Sequence, residues 1–294
     1  ASALQRRGVR ARVVGGSDDF KVAHLREVRR FGELLGEVHK GPGLVPRQAW
    51  AQARKAWLEQ LATNPHHRDL EDLLALFERT APQPYDAAEW AAFTREIRIT
   101  DAVRPEAGTV LVSTMHKSKG KEFDNVFLLL HQAELRTDAD RRLLYVACTR
   151  ARERLVMHTN TPFLPGYTSP AFELVRSTAQ HPLPHELHCT LGMRDVYLGA
   201  NRFNQARIGA LHTGDALQPD TTSFPGNEAP GLGTPQGNIV IFSKHFVTDK
   251  LQRFQDLGYQ LTGGSTEYIV AWYDAKNDRT LEVVLPRLRF AKSG

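Results

Sequence analysis

The feature that most constrains this chain is a change of hydrophobic period at residue 109. Before it, from residue 20 to about 100, apolar residues recur every three or four positions, the spacing of one face of a helix. Val22, Leu25, Val28, Phe31, Leu34, Leu35 and Val38 make the first such stripe, with Asp18 and Asp19 as N-cap residues and GPG (41–43) as its stop. Trp50, Ala53, Trp57 and Leu61 mark a second helix, and Leu70, Leu73, Leu74 and Phe77 a third. Asp86 and Glu89 have capping-box spacing ahead of Trp90 and Phe93 in a fourth. After residue 109 the apolar runs become short and continuous: TVLVST (109–114) and NVFLLL (125–130) read as buried parallel strands. DADRRLLYVACTRARE (138–153) predicts a helix ending in Arg150 and Arg152, and LVMHT (155–159) the next strand. VRARVVGG (9–16) is a β-branched run closed by a glycine pair, a strand leading into a turn. Together these predict an α/β unit interrupted by a helical block.

The rest reads differently. Residues 161–190, with Pro162, Pro165, Pro170, Pro182 and Pro184, predict a connector. Beyond it RDVYLG (194–199), NIVIFS (238–243), EYIVAWYD (267–274) and TLEVVLPRLRF (280–290) predict strands, with a Gly/Pro-rich loop at 214–237 and one helix from Thr248 to Gly258. The expected organisation is an α/β lobe from 1–20 and 100–160, a helical insertion at 21–99, the connector, and a small mostly-β domain at 191–294.

A chain of 294 residues with 41% hydrophobic content can bury the cores this organisation needs. No apolar stretch approaches the roughly 20 residues of a membrane-spanning helix, and ASALQRRGVRARVV has no apolar signal core. The expectation is a cytoplasmic, nucleoid-associated protein with no membrane partner. Cys148 and Cys189 cannot build a disulfide framework. The net charge of +5, concentrated towards the N-terminal end, suits a phosphate-backbone binder without requiring one.

The chemistry concentrates in VLVSTMHKSKGKEFDNVFLLL (110–130) and RRLLYVACTRARERLVM (141–157). A strand end delivers Thr114, His116, Lys117, Lys119, Gly120 and Glu122 into a polar loop, and ligands of open α/β sheets bind at such ends. Arg150 and Arg152 are fixed charges suited to bidentate phosphate contact. These segments resemble motif V (T-x-H-x-x-K-G-L-E-F) and motif VI (R-R-L-x-Y-V-x-x-T-R-A) of the UvrD/Rep/PcrA-like superfamily 1 DNA helicases. The start, LQRRGVRARVVGG (4–16) with LREVRRF (25–31), is similar to the preceding family motif. The wording HKSKGKEFDNVFLLL is closest to members in which a RecQ-type helicase and this module share one chain.

The resemblance implies a RecA-like second motor lobe with Arg150 as the arginine finger for a γ-phosphate. It also implies that Glu122 meets the nucleotide ribose and that Gly120 permits close backbone approach. Thr114 and His116, with Lys117 and Lys119, would contact single-stranded DNA; Arg141, Arg142 and Tyr145 would support the same interface. ATP and Mg2+ would bind with an N-terminal motor lobe as partner, driving movement along DNA, 3′-to-5′ as in the family, with the helical insertion facing duplex DNA. Lys121 stands where the family has leucine. The chain contains no G-x-x-x-x-G-K-[ST] phosphate loop and no strand-end carboxylate pair for magnesium. By itself it is expected to be inactive and to hold no cofactor.

Other readings compete at particular residues. His185, His188 and Cys189 suggest a metal cluster but lack a fourth ligand at a recognisable spacing, so no metal site is expected. Trp50, Trp57 and Trp90 could stack bases, although helical spacing favours core packing. Arg6, Arg7, Arg10 and Arg12 could track phosphates or line a solvated strand edge. Asp274 and Lys276 in WYDAK resemble a nuclease pair, while YDAKNDRT equally suits a hairpin turn. A further class of function is a non-catalytic module whose C-terminal domain docks a protein or nucleic acid; its short strands are similar to those of the SH3-like barrels that some relatives carry at this position.

Overall fold

Helix α1 (Arg26–Val38) forms where the first stripe predicts it and buries Val28, Phe31, Leu34 and Leu35. Helix α2 (Arg47–Gln60) follows Pro46 and buries Trp50, Ala53 and Trp57. Helix α3 (His67–Thr80) buries Leu70, Leu73, Leu74 and Phe77, with Asp69 in its first turn and Arg79 in its last, both favourable to the helix dipole. Helix α4 (Ala87–Glu96) is capped by Asp86, whose carboxylate accepts from the Ala88 amide at 2.7 Å. In this computed structural model, residues 4, 7–14, 20–41, 43–98, 108–131, 136–161, 172–179, 182–224 and 227–292 are described. Asp18, Asp19, Arg6, Pro162, Pro165, Pro170 and the side chains of Arg12 and Lys117 lie outside the described residues.

The chain divides into two units. Gly16–Ala107 with Pro184–Gly294 forms the core unit, and Ala1–Gly15 with Gly108–Leu183 the motif unit. In the core unit the aromatic side chains of the four helices share one cluster. The Phe31 ring lies 5.2 Å from Trp50, 5.1 Å from Trp57 and 5.1 Å from Trp90. All three tryptophans are buried, so they are core and not a stacking platform.

The same unit contains a six-stranded antiparallel sheet in the order β5-β10-β9-β6-β7-β8. Its strands are β5 (Glu186–Thr190), β6 (Ala216–Phe224), β7 (Asn227–Thr234), β8 (Gly237–Ile241), β9 (Tyr259–Asp274) and β10 (Arg279–Lys292). Three sequence expectations are corrected here. The predicted loop at 214–237 is largely the β6–β7 hairpin, in which Gly231 and Gly233 are required by strand packing. A Cβ at Gly231 would overlap the Val240 carbonyl oxygen, and one at Gly233 would lie 2.9 Å from the Gly237 carbonyl oxygen. The predicted strand RDVYLG is instead a turn closed by Asp195, whose carboxylate accepts from the Gly192 amide at 3.0 Å and pairs with Lys250 at 2.9 Å. Only Val196 bridges to Phe242 before α6 (Asn201–Gly209) begins. The expected connector also supplies β5, paired with β10.

The helix expected from Thr248 starts earlier, as helical turns Lys244–Phe246, Val247–Leu251 and Gln252–Asp256. The Ser243 hydroxyl caps it, accepting from the Phe246 amide at 3.2 Å. Asp274 closes the β9–β10 turn by accepting from the Asn277 side-chain amide at 2.6 Å, a turn role.

The helical block and the C-terminal strands, separate domains in the sequence reading, share one core in the structure. Leu25 bridges to the backbone of Val270, and Phe20 meets Tyr268 edge-on at 5.5 Å. Arg26 donates through Nε to Glu282 at 2.8 Å and caps the end of α6 through the carbonyls of Leu211 (2.6 Å) and Ile208 (2.8 Å). The Thr213 hydroxyl donates to Glu27 at 2.6 Å. His66 stacks on Tyr268 at 4.8 Å, with Asp69 3.8 Å from one ring nitrogen and Glu267 3.6 Å from the other. Burial opposes its charge, but these carboxylates and Glu27 outweigh burial and hold its pKa above the ordinary histidine value.

The motif unit is built from parallel pairs. Strand β1 (Ala11–Val14) pairs with β2 (Val110–Ser113), and β3 (Phe123–Leu130) with β4 (Ala151–Thr159). Helix α5 (Asp138–Cys148) joins β3 to β4 and starts in a capping box: the Thr137 hydroxyl accepts from the Asp140 amide, and the Asp140 carboxylate from the Thr137 amide. Leu128, Leu130 and Ala147 form its buried cluster, with Met115, Val126, Leu144, Cys148, Leu155 and Met157 packed around them. The alternate residues Phe127 and Leu129 are 61% and 79% exposed. The molecule is thus a mixed α/β protein, and no helix among the described residues is long and apolar enough to cross a membrane.

Candidate functional site

Where β2 ends, Thr114 leads into a 3-10 turn, Met115–Ser118. Met115 anchors the turn on the core of the motif unit. The turn is closed by the Ser118 hydroxyl donating to the Met115 carbonyl at 2.7 Å and the Lys121 amide to the Ser118 carbonyl at 3.1 Å. Gly120 takes φ +80°, and among the described residues beyond its two chain neighbours no atom lies within 4 Å of where its Cβ would be. Within the chain, its glycine requirement is therefore conformational and not one of close contact. Thr114, His116, Lys119 and Glu122 are all exposed on this loop, and of Lys117 only the backbone, in the 3-10 turn, is described.

Helix α5 stops at Cys148, short of the expected 153, because the chain turns at Thr149–Arg150 to begin β4 at Ala151. Arg150 therefore sits in the turn and Arg152 on the strand, not together at a helix end. The two segments meet here. The Phe123 amide donates to the Arg150 carbonyl at 2.8 Å, and Arg150 Nη1 donates to the Lys121 carbonyl at 3.3 Å. Arg150 Nε donates to the Val146 carbonyl at 2.8 Å and Nη2 to the Thr149 hydroxyl at 3.0 Å. The guanidinium has five N–H donors, so two have no partner among the described residues.

Lys121 departs from the resembled motif only in its side chain. That side chain is exposed, while its backbone amide and carbonyl hold the loop together. Arg152 pairs with Asp124 at 3.0 Å across a break in the β3–β4 register, between Phe123↔Ala151 and Asn125↔Arg154. Arg141 pairs with Asp138 at 3.0 Å, and Tyr145 presents a ring 70% exposed.

The structure thus joins Glu122 and Arg150 into one corner and leaves Thr114 and His116 on the adjoining loop. Sequence reasoning missed Thr149, Asp124 and the Val146 carbonyl. The threonine and the aspartate are visible in the sequence, but a backbone acceptor has no residue-type signature. His188 lies 3.9 Å from Glu186, and no group of three or more His, Cys, Asp or Glu among the described residues is placed to hold a metal ion.

Residues 109–158 match the family profile described as a UvrD-like helicase C-terminal domain. The matched segment contains every site residue named above, from Thr114 to Arg152, and ends within β4. It is similar to a helicase family segment over this part of the chain, which makes a helicase the functional class to test. No curated protein matches the chain.

Proposed function

We propose that the motif unit is part of the second, RecA-like motor lobe of an ATP-dependent DNA helicase of the UvrD/Rep/PcrA kind. In this reading Arg150 stabilises charge on a transferring γ-phosphate, as arginine fingers do. Glu122 accepts a hydrogen bond from the ribose, and Gly120 shapes the loop between them. Thr114, His116, Lys117 and Lys119 contact single-stranded DNA. The observation that carries the reading is the meeting of the Gly120–Phe123 loop with the Arg150 turn, inside the segment that matches the helicase family.

The residues present fit one side of a nucleotide, a guanidinium with two spare donors and an exposed carboxylate. The phosphate loop and the magnesium carboxylates, which this sequence does not contain, belong to a partner lobe. ATP with Mg2+ supplies the hydrolysis that drives movement along the strand, 3′-to-5′ in this reading. The core unit faces duplex DNA or a protein partner as one body, because its helices and strands share a core. The SH3-like comparison has no support beyond antiparallel pairing, and the RecQ-type fusion rests on motif wording alone.

The test is ATP hydrolysis by the full-length gene product, with and without single-stranded DNA, beside Arg150→Ala. A loss of about a hundredfold or more in turnover is expected for a finger. A full-length product that does not hydrolyse ATP, or is indifferent to Arg150, would replace the motor with the non-catalytic interaction module.

A further inference from the structure

Arginine side chains are long and flexible, and an arginine that must meet a developing charge loses rate if it first has to be ordered. Arg150 is already ordered by three acceptors from two segments. Val146 and Thr149 belong to the end of α5 and its turn, and Lys121 to the loop that carries Glu122. Thr149 is bound twice, because its hydroxyl also donates to the Val146 carbonyl at 3.0 Å. That donation fixes the hydroxyl proton, so the oxygen turns a lone pair towards Arg150 Nη2. The Arg150 carbonyl in turn accepts from the Phe123 amide, closing a ring of contacts between the two segments.

We propose that Thr149 is a positioning residue for Arg150. Its oriented hydroxyl, with the Val146 and Lys121 carbonyls, seats the guanidinium so that its two remaining N–H groups face a phosphate together. This rests on the reading of Arg150 as the phosphate-facing residue. Because one of the three seats is the Lys121 carbonyl, a shift of the Glu122 loop moves the guanidinium as well. Ribose-side and phosphate-side contacts are thereby set by one piece of backbone.

Two variants test this. Thr149→Val keeps the shape and removes the hydroxyl, and Thr149→Ser keeps the hydroxyl. In this chain, the Arg150 Nε–H resonance of the wild type is expected to exchange slowly with water. In T149V the Arg150 Nη2 N–H groups, which lose their Thr149 acceptor, should exchange about tenfold faster than in the wild type, the scale of one charge-assisted hydrogen bond, and T149S should restore them. In the full-length product T149V should lower kcat by about tenfold with KM for ATP changed less than about twofold, and T149S should recover it. Fast exchange of Arg150 Nε–H in the wild type overturns the seat. Faster exchange in T149V with unchanged kcat overturns its role in the reaction. If R150A leaves turnover intact the helicase reading falls, whereas an R150A-sensitive enzyme indifferent to T149V sinks the positioning role alone.

Discussion

The two units differ in how much apolar side chain each buries among the described residues. The core unit has a continuous interior running from the aromatic cluster of α1–α4 to the strands β9 and β10. The motif unit carries the residues with a recognisable chemical pattern around a buried cluster of Leu128, Leu130 and Ala147. Thr114, His116, Lys119 and Glu122 are exposed, and an exposed polar loop contributes little to burial. The comparison teaches that the segment with the family-like pattern lies in the unit that buries, among the described residues, the smaller apolar cluster.

The largest expected effect lies in the core unit. Trp57 is 1% exposed and its indole N–H donates to the Glu27 carbonyl at 2.7 Å. Trp57→Ala should destabilise the core unit by about 3–5 kcal/mol, followed by hydrogen exchange resolved along the chain. Protection should fall in α1–α4 and in β9–β10 together. Loss confined to the helices would break the claim that the two segments share one cooperative core.

Next comes a neighbouring pair in the motif unit. Leu128→Ala removes a side chain 8% exposed and should cost about 2–5 kcal/mol, whereas Leu129→Ala, at 79% exposure, should stay within about 0.5 kcal/mol. Thermal unfolding of the two variants side by side decides it. Equal costs would mean that the outer face of β3 is covered in solution.

The smallest effect is pH-dependent. The pKa of His66 is raised in the folded state, so its contribution is fully present below the ordinary histidine value near 6.5 and is lost as pH rises through the folded value. The core unit should therefore lose some stability from about pH 6 to pH 8, and His66→Gln should flatten that part of the profile. An unchanged slope in the variant would assign the dependence to other groups.

Much of the helix and strand pattern was legible because burial followed the period of each element, as in Val28, Phe31, Leu34 and Leu35. Where it failed, the residue types argued against the structure. Helix α6 buries Asn201 and Asn204 beside Ile208, a face with almost no apolar signal. The β6–β7 hairpin is rich in the glycine and proline that usually mark loops, although close backbone approach explains Gly231 and Gly233. The shared core of the helical block and the C-terminal strands was not legible for a different reason. Apolar periodicity says which face of a helix is buried but not what buries it, and the partner of Leu25 is the distant Val270. At the candidate site, motif wording singled out Arg150 and Glu122 as residues to test, while the contacts that hold Arg150 depend on carbonyls and on where α5 stops.

The unit boundaries at Gly15/Gly16, Ala107/Gly108 and Leu183/Pro184 have a consequence for synthesis. The four helices leave the ribosome before the sheet that covers them, and the whole of Gly108–Leu183 must be translated in between. At roughly 5–20 residues per second that delay is on the order of ten seconds, during which Phe20 and Leu25 lack their partners on β9. The ring-on-ring cluster of Phe31, Trp50, Trp57, Phe77 and Trp90 lies entirely within the early segment. It gives the nascent chain a core of its own while it waits, so a hold on translation within the motif segment should lengthen the life of a half-built domain and its need for chaperones.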